Sequence, residues 1–197
     1  MRLFALPARA SVAQRSPVTA SRRIAPDEIH AAITALAGSI VHRHPKTPPI
    51  LIGIANGGIP LARRLATQIP GAPCGTIDIS FHRDDIGRNP ITKELATTEI
   101  PVDVTGATVV LVDDVLFSGR TAKAAMDELF DHGRPTRVEL AVLVDRGGHR
   151  MPIAADYCGL ALTATETERV VVHLDPADPK ADSIRILPAR PAAPAAR

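Results

Sequence analysis

The chain has 197 residues, of which 45% are hydrophobic and only 3% aromatic. This length suits one domain with a core of Val, Ile, Leu and Ala, and no apolar run reaches the roughly 18 residues of a membrane span. The net charge is +2, yet residues 1–26 hold five Arg and no acid, which leaves 18 basic against 21 acidic residues in the rest. A mildly acidic body does not favour a broad nucleic-acid surface, and two Cys without metal-ligand spacing fit a cytoplasmic protein.

Both ends of the chain have the composition of tails. Residues 1–25 are rich in Arg, Ala and Ser and lack periodicity. Such a segment is typical of an organelle transit peptide or of a flexible extension, and we favour the extension. Residues 188–197 are rich in Pro and Ala, a composition typical of disorder. We therefore predict disordered tails at 1–23 and 188–197, and one domain at 24–187.

Between the tails, helical and strand patterns alternate. A helix should begin at Pro26, because Pro is favoured at the first helical position and Asp27 and Glu28 suit the first turn. The apolar stripes predicted for three helices are Ile29, Ile33, Leu36, Ala37, Ile40 and Val41; Ile59, Ala62, Leu65, Ala66 and Ile69; and Ala122, Ala125, Met126, Leu129 and Phe130. Strands are predicted at 50–55, 76–81, 108–112, 138–144, around Tyr157 and at 170–174.

Strands that alternate with helices predict an α/β fold, with a mostly parallel sheet that is flanked by helices on both faces. Ligands of such sheets bind at the carboxyl ends of the strands. Three polar or glycine-rich segments follow predicted strands in this way, at 56–58, 113–114 and 145–146. We therefore expect these three segments to form one site.

The segment 109–121 carries the most specific functional signal. Four aliphatic residues end in the adjacent carboxylates Asp113 and Asp114, and a turn with Ser118 and Gly119 precedes a helical pattern from Thr121. Carboxylates fixed at a strand end can accept hydrogen bonds from ribose hydroxyls, while turn amides and a helix N-terminus suit a phosphate. Gly119 would allow the backbone to approach closely. For the acidic pair alone, an ordinary β–α unit with acidic capping is the alternative.

The complete segment resembles the signature of type I phosphoribosyltransferases, which bind phosphoribosyl pyrophosphate (PRPP). The resemblance implies that Asp113 and Asp114 hold the ribose 2′- and 3′-hydroxyls in the catalytic centre, and that the turn 118–121 holds the 5′-phosphate. The implied PRPP-binding residues are Val109, Val110, Leu111, Val112, Asp113, Asp114, Val115, Leu116, Phe117, Ser118, Gly119, Arg120 and Thr121.

A glycine pair one β–α unit upstream is the second candidate segment. Ala55, Asn56, Gly57 and Gly58 join a predicted strand to a predicted helix. Paired glycines allow unusual backbone angles and expose amides, as a pyrophosphate loop requires. Most turns of this kind are only tight connections, but the position beside the PRPP signature favours a pyrophosphate loop.

The segment 82–103 is the third candidate, because loops beyond about 12–15 residues are usually functional or disordered. In the family that the signature resembles, the matching segment is a flexible lid that closes over PRPP. Arg83 would then act as a catalytic residue that brings charge to the leaving pyrophosphate, with Arg88 and Lys93 as further candidates. A solvated loop with incidental charges is the alternative.

Ordered matches at 83–85, 100–103, 133–135, 140–150 and 156–159 extend the resemblance to the PyrR family. The resemblance covers about residues 24–187 and implies a type I phosphoribosyltransferase fold with a small base-binding hood. It also implies that Asp145, Arg146, Tyr157 and Cys158 form the base site, with the Tyr157 ring over a pyrimidine. A core Tyr whose hydroxyl is satisfied by the protein is the alternative.

The PyrR family converts uracil and PRPP to UMP and pyrophosphate, and many members bind pyrimidine-operon mRNA. The resemblance implies this transferase activity, Mg²⁺ that bridges substrate oxygens without a direct protein ligand, and a homo-oligomer. The alternatives are a UMP-responsive RNA attenuator and a phosphoribosyltransferase for another nucleobase. RNA binding is expected to be weak, because cations supply most nucleic-acid affinity. At the positions where RNA-binding members carry cations, this chain has the uncharged residues Ala35, Gly38, Ala154 and Leu160.

Overall fold

The computed structural model describes residues 23–80 and 97–188. In chain order the elements are β1 (Arg23–Ile24), α1 (Pro26–Arg43), β2 (Ile50–Ile54), α2 (Gly58–Gln68), β3 (Cys74–Ile77), β4 (Thr108–Leu116), α3 (Arg120–Asp131), β5 (Arg137–Asp145), β6 (Tyr157–Ala161), β7 (Glu168–His173), a 3-10 turn (Pro179–Ala181) and β8 (Ser183–Pro188). Residues 1–22 and 189–197 of the predicted tails, and Arg83, Arg88 and Lys93 of the predicted lid, lie outside the described residues. Arg23 and Pro188, the remaining residues of the predicted tails, lie in β1 and β8.

Five strands form one parallel sheet in the order β3-β2-β4-β5-β6. The register sets Ile52 beside Leu111 and Val112 beside Ala141. The carboxyl ends of β2, β4 and β5 therefore meet at one edge of the sheet. The predicted α/β architecture with a parallel sheet is confirmed.

A smaller antiparallel sheet, here called the hood, has the order β1-β8-β7. Ile24 of β1 pairs with Ile184 of β8, and both side chains are buried with those of α1 and α2. Neither β1 nor β8 is predicted from the sequence, because β1 has only two residues and β8 borders a stretch rich in Pro and Ala. In the parallel sheet, β3 begins two residues before its predicted start, because Cys74 already pairs with Leu51.

The central strands are buried on both faces, which explains their nearly continuous aliphatic sequence. In β4, Val110 and Val112 pack with residues of α1 and α2, whereas Val109 and Leu111 pack with residues of α3. Successive residues of a strand point to opposite faces. The same alternation decides where the residues after Val112 point.

The predicted apolar stripe of α1 is confirmed except at its last turn. The helix begins with Pro26 and buries Ile29, Ile33, Leu36, Ala37 and Ile40. Val41 is 41% exposed, and Phe130 at the end of α3 is 40% exposed, so the predicted place of both residues in the apolar stripes is wrong. Val41 follows Ile40 by one residue, about 100° around the helix, and therefore points away from the core.

Within residues 23–80 and 97–188, no helix combines the length and the apolar character of a membrane span.

An ion pair joins the hood to α2. Arg64 donates to both carboxylate oxygens of Asp182, which is fully buried just before β8. The same guanidinium donates to the backbone carbonyl of Asp175, which follows β7. A buried pair of this kind is costly to break, because one charge would stay buried without its partner. The hood is therefore fixed to the helix that follows the 55–58 loop.

Candidate active site

The acidic pair lies inside β4 rather than after it. The strand continues to Leu116, because Val115 pairs with Val144 and Leu116 pairs with Asp145. The predicted end of this strand at Val112 is therefore wrong. Since side chains alternate along a strand, the two carboxylates point to opposite faces of the sheet.

Asp113 points to the face that α3 covers. It lines a small open cavity of about 110 Å³ with Val142 and Ala122, and it is only 8% exposed. Its Oδ1 accepts a hydrogen bond from the Asp114 amide at 2.9 Å. Burial raises the pKa of Asp113 well above its usual value, and the neighbouring charge of Asp114 raises it further. Within the described part of the chain, Asp113 has no Lys, Arg or His at ion-pair distance.

Asp114 points to the other face, where α2 begins. A Cβ added to Gly57 would lie 2.5 Å from the Asp114 carboxylate carbon, and a Cβ on Gly58 would collide with the Val112 carbonyl oxygen. The backbone of Gly57 has ordinary helical angles, with φ −66° and ψ −36°. The glycine pair is therefore needed for close packing against β4, and the predicted need for unusual backbone angles is wrong.

The 55–58 loop ends β2 at the same edge of the sheet. The Ala55 amide donates to the Ile77 carbonyl at 2.9 Å, which extends the pairing of β2 with β3. The Ala55–Asn56 peptide is cis, and Asn56 is exposed. The predicted pyrophosphate loop and the acidic pair are thus in contact through Gly57 and Asp114.

The turn after β4 contains a left-handed glycine and leads directly into α3. Gly119 has a φ of 89°, a left-handed conformation that side chains rarely adopt. A Cβ there would also lie 3.2 Å from the Met151 Cβ. The helix α3 begins at Arg120, one residue before the predicted start, and the Arg120 amide lies 3.3 Å from the Ser118 hydroxyl oxygen. The open helix N-terminus and the turn face the cavity, whose wall includes Asp113, Phe117, Ser118, Gly119 and Thr121.

The segment that follows β5 lies across this turn. The Arg146 amide donates to the Leu116 carbonyl, and the Arg150 and Met151 amides both donate to the Ser118 carbonyl, each at 3.1 Å. Sequence reasoning missed this contact, because backbone hydrogen bonds between distant segments leave no residue pattern. The turn is therefore fixed from β5 as well as from its own helix.

Asp145 lies at the carboxyl end of β5, beside Leu116. Its Oδ1 accepts a hydrogen bond from the Gly147 amide at 2.8 Å and lies 2.9 Å from Nε2 of His149. This carboxylate shapes the start of the 145–151 segment, and its contact with a base stays a prediction.

The side chain of Arg146 is enclosed between loops, and its contact with a base stays a prediction. The guanidinium donates to the Glu168 carbonyl at 3.0 Å and to the Thr165 carbonyl at 2.9 Å. It lies over the Phe117 ring, 3.9 Å from the ring centroid. Arg146 is only 6% exposed. Phe117 thus covers one face of the guanidinium, and the two carbonyls each occupy one N–H of a terminal nitrogen.

The predicted stacking of Tyr157 on a base is also wrong. Tyr157 starts β6 beside Ala141 and is buried with the side chains of α1 and α2, on the face opposite Asp113 and its cavity. Its hydroxyl donates to Glu139 at 2.6 Å. The alternative interpretation, a core Tyr whose hydroxyl is satisfied by the protein, is the correct one. Cys158, the next residue, is exposed beside Val142, and its contact with a base stays a prediction.

Glu139 organises this polar cluster, which the sequence does not reveal. It is 2% exposed, with Nε2 of His44 at 2.8 Å and Nε of Arg43 at 3.1 Å. Burial raises the pKa of Glu139, but the hydrogen bonds from Tyr157 and His44 and the charge of Arg43 outweigh burial, so that the pKa lies below its usual value. The one signal of this cluster in the sequence is Glu139 itself, a single acid within the apolar part of β5.

Comparisons with known proteins agree with this geometry. Residues 25–177 match the family described as the phosphoribosyl transferase domain. The chain is 47% identical to a bifunctional protein PyrR of Streptomyces coelicolor over 176 residues, which is 86% of this chain and 90% of that one. It is 45% identical to the bifunctional protein PyrR of Bacillus subtilis over 158 residues, with coverages of 76% and 87%.

Solved structures share the fold. A hypoxanthine-guanine phosphoribosyltransferase from Bacillus anthracis superposes with a TM-score of 0.59 at 22% identity, over 71% of this chain and 82% of that one. A purine phosphoribosyltransferase from Pyrococcus horikoshii gives a TM-score of 0.55 at 26% identity, over 70% and 85% of the two chains.

Proposed function

Because this chain belongs to the PyrR family of phosphoribosyltransferases, we propose that it transfers the phosphoribosyl group of PRPP to uracil, giving UMP and pyrophosphate. The observation that carries the proposal is the convergence of three segments at one sheet edge: the acidic pair, the turn at 117–120 and the 55–58 loop. Together they offer carboxylates, open amides and a tight glycine pair, which is the chemistry that a phosphorylated sugar requires.

Each segment has a role in this proposal. Asp113 and Asp114 would accept hydrogen bonds from the ribose 2′- and 3′-hydroxyls. The amides of the turn and the start of α3, with the hydroxyls of Ser118 and Thr121, would hold the 5′-phosphate. The 55–58 loop would hold the pyrophosphate, since Gly57 is already in contact range of Asp114.

The reaction breaks the bond between ribose C1′ and the pyrophosphate oxygen and forms a bond from C1′ to a ring nitrogen of uracil. Positive charge develops on the sugar ring as the bond breaks, and carboxylates fixed beside the ring stabilise it without rearranging. Binding both substrates at one edge supplies most of the remaining rate enhancement by positioning.

Mg²⁺ is proposed as the cofactor. An ion held by the substrate fits the described residues, because Mg²⁺ prefers phosphate oxygens and keeps several waters, and no group of three or more His, Cys, Asp or Glu among the described residues forms a metal site. The ion would neutralise charge on the leaving pyrophosphate. We propose that substrate oxygens hold it, with the acidic pair acting on the ribose. A homo-oligomer, which the family resemblance implies, likewise stays a prediction.

The second candidate function is RNA-dependent regulation, because the similar proteins are described as bifunctional. The segment after β5 carries one Arg beyond Arg146, and the Arg150 guanidinium lies near a carboxylate. Arg150 lies 3.3 Å from Glu166, and His149 lies 2.9 Å from Asp145. We therefore expect the protein to bind a pyrimidine leader RNA weakly. At physiological salt, its affinity for this leader should be little higher than its affinity for a scrambled RNA.

The test of the transferase proposal is a panel of nucleobases with PRPP, with and without Mg²⁺. Nucleotide formation with uracil that requires Mg²⁺ is the expected result. Turnover only with another base would leave the phosphoribosyltransferase assignment and overturn uracil as the substrate. No turnover with any base, combined with no heat of PRPP binding in calorimetry, would overturn the enzymatic proposal.

A further inference from the structure

Arg146 connects three segments that meet at the proposed phosphate site. Its backbone amide donates to Leu116 at the end of β4, and its guanidinium donates to the carbonyls of Thr165 and Glu168, at the start of the hood. The flat face of the guanidinium covers the ring of Phe117 at 3.9 Å. One side chain therefore fixes the turn residue Phe117 relative to both β5 and the hood.

Packing alone does not account for an arginine at this position. The side chain is almost fully buried, and its Nε has no hydrogen-bond partner among the described residues. Within residues 23–80 and 97–188, no carboxylate lies at ion-pair distance from the guanidinium. An unpaired buried donor costs about 1–3 kcal/mol, and burial of a charge without an ion-pair partner is also costly. The stack on Phe117 and the hydrogen bonds to two carbonyls are the contacts that an apolar side chain of similar size would not supply.

Phe117 links the guanidinium to the turn that would bind phosphate. It directly precedes Ser118, whose carbonyl accepts the amides of Arg150 and Met151. The ring is closed in from a second side by Gly148, where a Cβ would lie 3.0 Å from the ring. Movement of the Phe117 ring would therefore displace the Ser118 carbonyl and the amides of the phosphate turn.

We propose that Arg146 is a positioning residue for the phosphate turn: by stacking on Phe117 and holding the hood carbonyls, it keeps the turn at 117–120 in the conformation that binds the 5′-phosphate of PRPP. The proposal rests on the proposed transferase function and concerns the substrate half that carries phosphate. The role of Arg146 is indirect, since it would act through Phe117 and not through contact with the reacting atoms. A lysine keeps the charge but cannot supply the flat stack or the two-pronged donation.

The test compares Arg146→Met and Arg146→Lys with Arg64→Lys. Arg64 also ties the hood to the parallel-sheet unit but does not contact Phe117, so it controls for a loosened hood. We expect both Arg146 variants to raise the KM for PRPP at least about tenfold, within the roughly hundredfold that a 1 Å misplacement can cause. The KM for uracil should change less than about threefold, and Arg64→Lys should leave the KM for PRPP within about threefold of the wild type.

Binding of ribose 5-phosphate, measured by calorimetry, gives a readout that does not depend on turnover. Its Kd should rise by a similar factor in both Arg146 variants. Phe117→Leu should raise the KM for PRPP by a similar factor. The KM of the double variant Arg146→Met/Phe117→Leu should not exceed that of the more impaired single variant, because the two residues act as one unit. Multiplied effects in the double variant would overturn the link through Phe117.

The outcomes separate this inference from the proposed function. If the wild type neither binds ribose 5-phosphate nor turns over PRPP with any base, the proposed function fails and the inference fails with it. If the wild type is active but Arg146→Lys matches it, the inference alone fails. Equal increases in both KM values, or an equal effect of Arg64→Lys, would also overturn the inference, because either result points to general loosening of the fold.

Discussion

Two buried carboxylates on neighbouring strands have opposite surroundings. Glu139 on β5 accepts a hydrogen bond from Tyr157 at 2.6 Å, and Arg43 lies 3.1 Å away. Asp113 on β4 has the Asp114 amide as a partner and no cation at ion-pair distance within the described residues. Accordingly, the pKa of Glu139 lies below its usual value, whereas burial and the charge of Asp114 hold the pKa of Asp113 well above it.

The difference separates a structural acid from a candidate functional acid. Glu139 has its partners within the protein, namely Tyr157, His44 and Arg43. Asp113 lines a cavity and lacks such partners, so its burial costs stability in the absence of a ligand. A group of this kind is expected where a ligand later supplies the missing hydrogen bonds.

The largest expected effect is on catalysis by the acidic pair. Asp113→Asn combined with Asp114→Asn keeps the shape and removes both charges. Two charge-assisted hydrogen bonds to the ribose contribute roughly 1.5–3 kcal/mol each, so kcat/KM should fall at least about a hundredfold. Steady-state kinetics checks this, with circular dichroism as the control for folding. Near wild-type kcat/KM in a folded double variant would show that Asp113 and Asp114 do not act in catalysis.

A smaller effect on stability is expected from Glu139→Gln. Loss of the charge weakens the contacts with Tyr157, His44 and Arg43, and we expect the free energy of unfolding to fall by roughly 1–3 kcal/mol. Denaturation in urea measures this value. The KM for uracil and for PRPP should stay close to that of the wild type, because the cluster lies on the face opposite Asp113. A selective increase of the KM for uracil would instead restore Tyr157 to the base site.

The single variant Asp113→Asn should change stability in the opposite direction. Removal of the charge relieves its burial and the repulsion from Asp114, while the amide oxygen can still accept from the Asp114 amide. We expect the free energy of unfolding to rise by roughly 0.5–2 kcal/mol at pH 7, the usual size of such gains. Urea denaturation of the unliganded protein provides the comparison. A destabilised variant would show that Asp113 is satisfied in a way that these contacts do not reveal.

The pH dependence is the subtlest difference between the two acids. The raised pKa of Asp113 means that its contribution to stability is lost as pH rises from its unfolded value of about 3.9 through its folded value. The lowered pKa of Glu139 means that its contribution is present above about pH 4.3 and lost as pH falls through its folded value. Relative to the wild type, the gain in unfolding free energy of Asp113→Asn should therefore grow as pH rises above about 4. The loss in unfolding free energy of Glu139→Gln should shrink as pH falls below about 4. Unfolding curves at several pH values would show slopes of opposite sign, and parallel slopes would contradict the comparison.

The sequence predicts the β4–turn–α3 segment well, because its signals are local. An aliphatic run, two acids, a glycine and a helical stripe lie within a few residues of each other, and strand, turn and helix follow in that order in the structure. The strand boundary was missed by four residues, because pairing with Val144 and Asp145 extends β4 beyond its aliphatic run. Tertiary pairing thus overrides local preference at the ends of elements.

Contacts across long sequence distances could not be predicted. Nothing local to Tyr157 indicates that its hydrogen-bond partner is Glu139 on the neighbouring strand β5, or that both lie on the α1–α2 face. The same holds for Arg146, whose partners Phe117 and Glu168 lie in two other segments. A family resemblance transfers roles to these positions, but only the strand register decides which face each side chain occupies.

The pairing of β1 with β8 brings the two ends of the described domain together. Arg23 is level with Arg185, so Pro188 lies about three residues, or roughly 10 Å, further along the edge. A short glycine-rich linker could therefore join 188 to 23 and allow new termini to be opened elsewhere, as in a circular permutant. The exposed 147–148 turn would be a poor place to open it, because it carries Arg146 and Gly148 against Phe117. Opening the chain at 176–178, between β7 and the 3-10 turn, would leave the segments of the proposed phosphate site covalently intact.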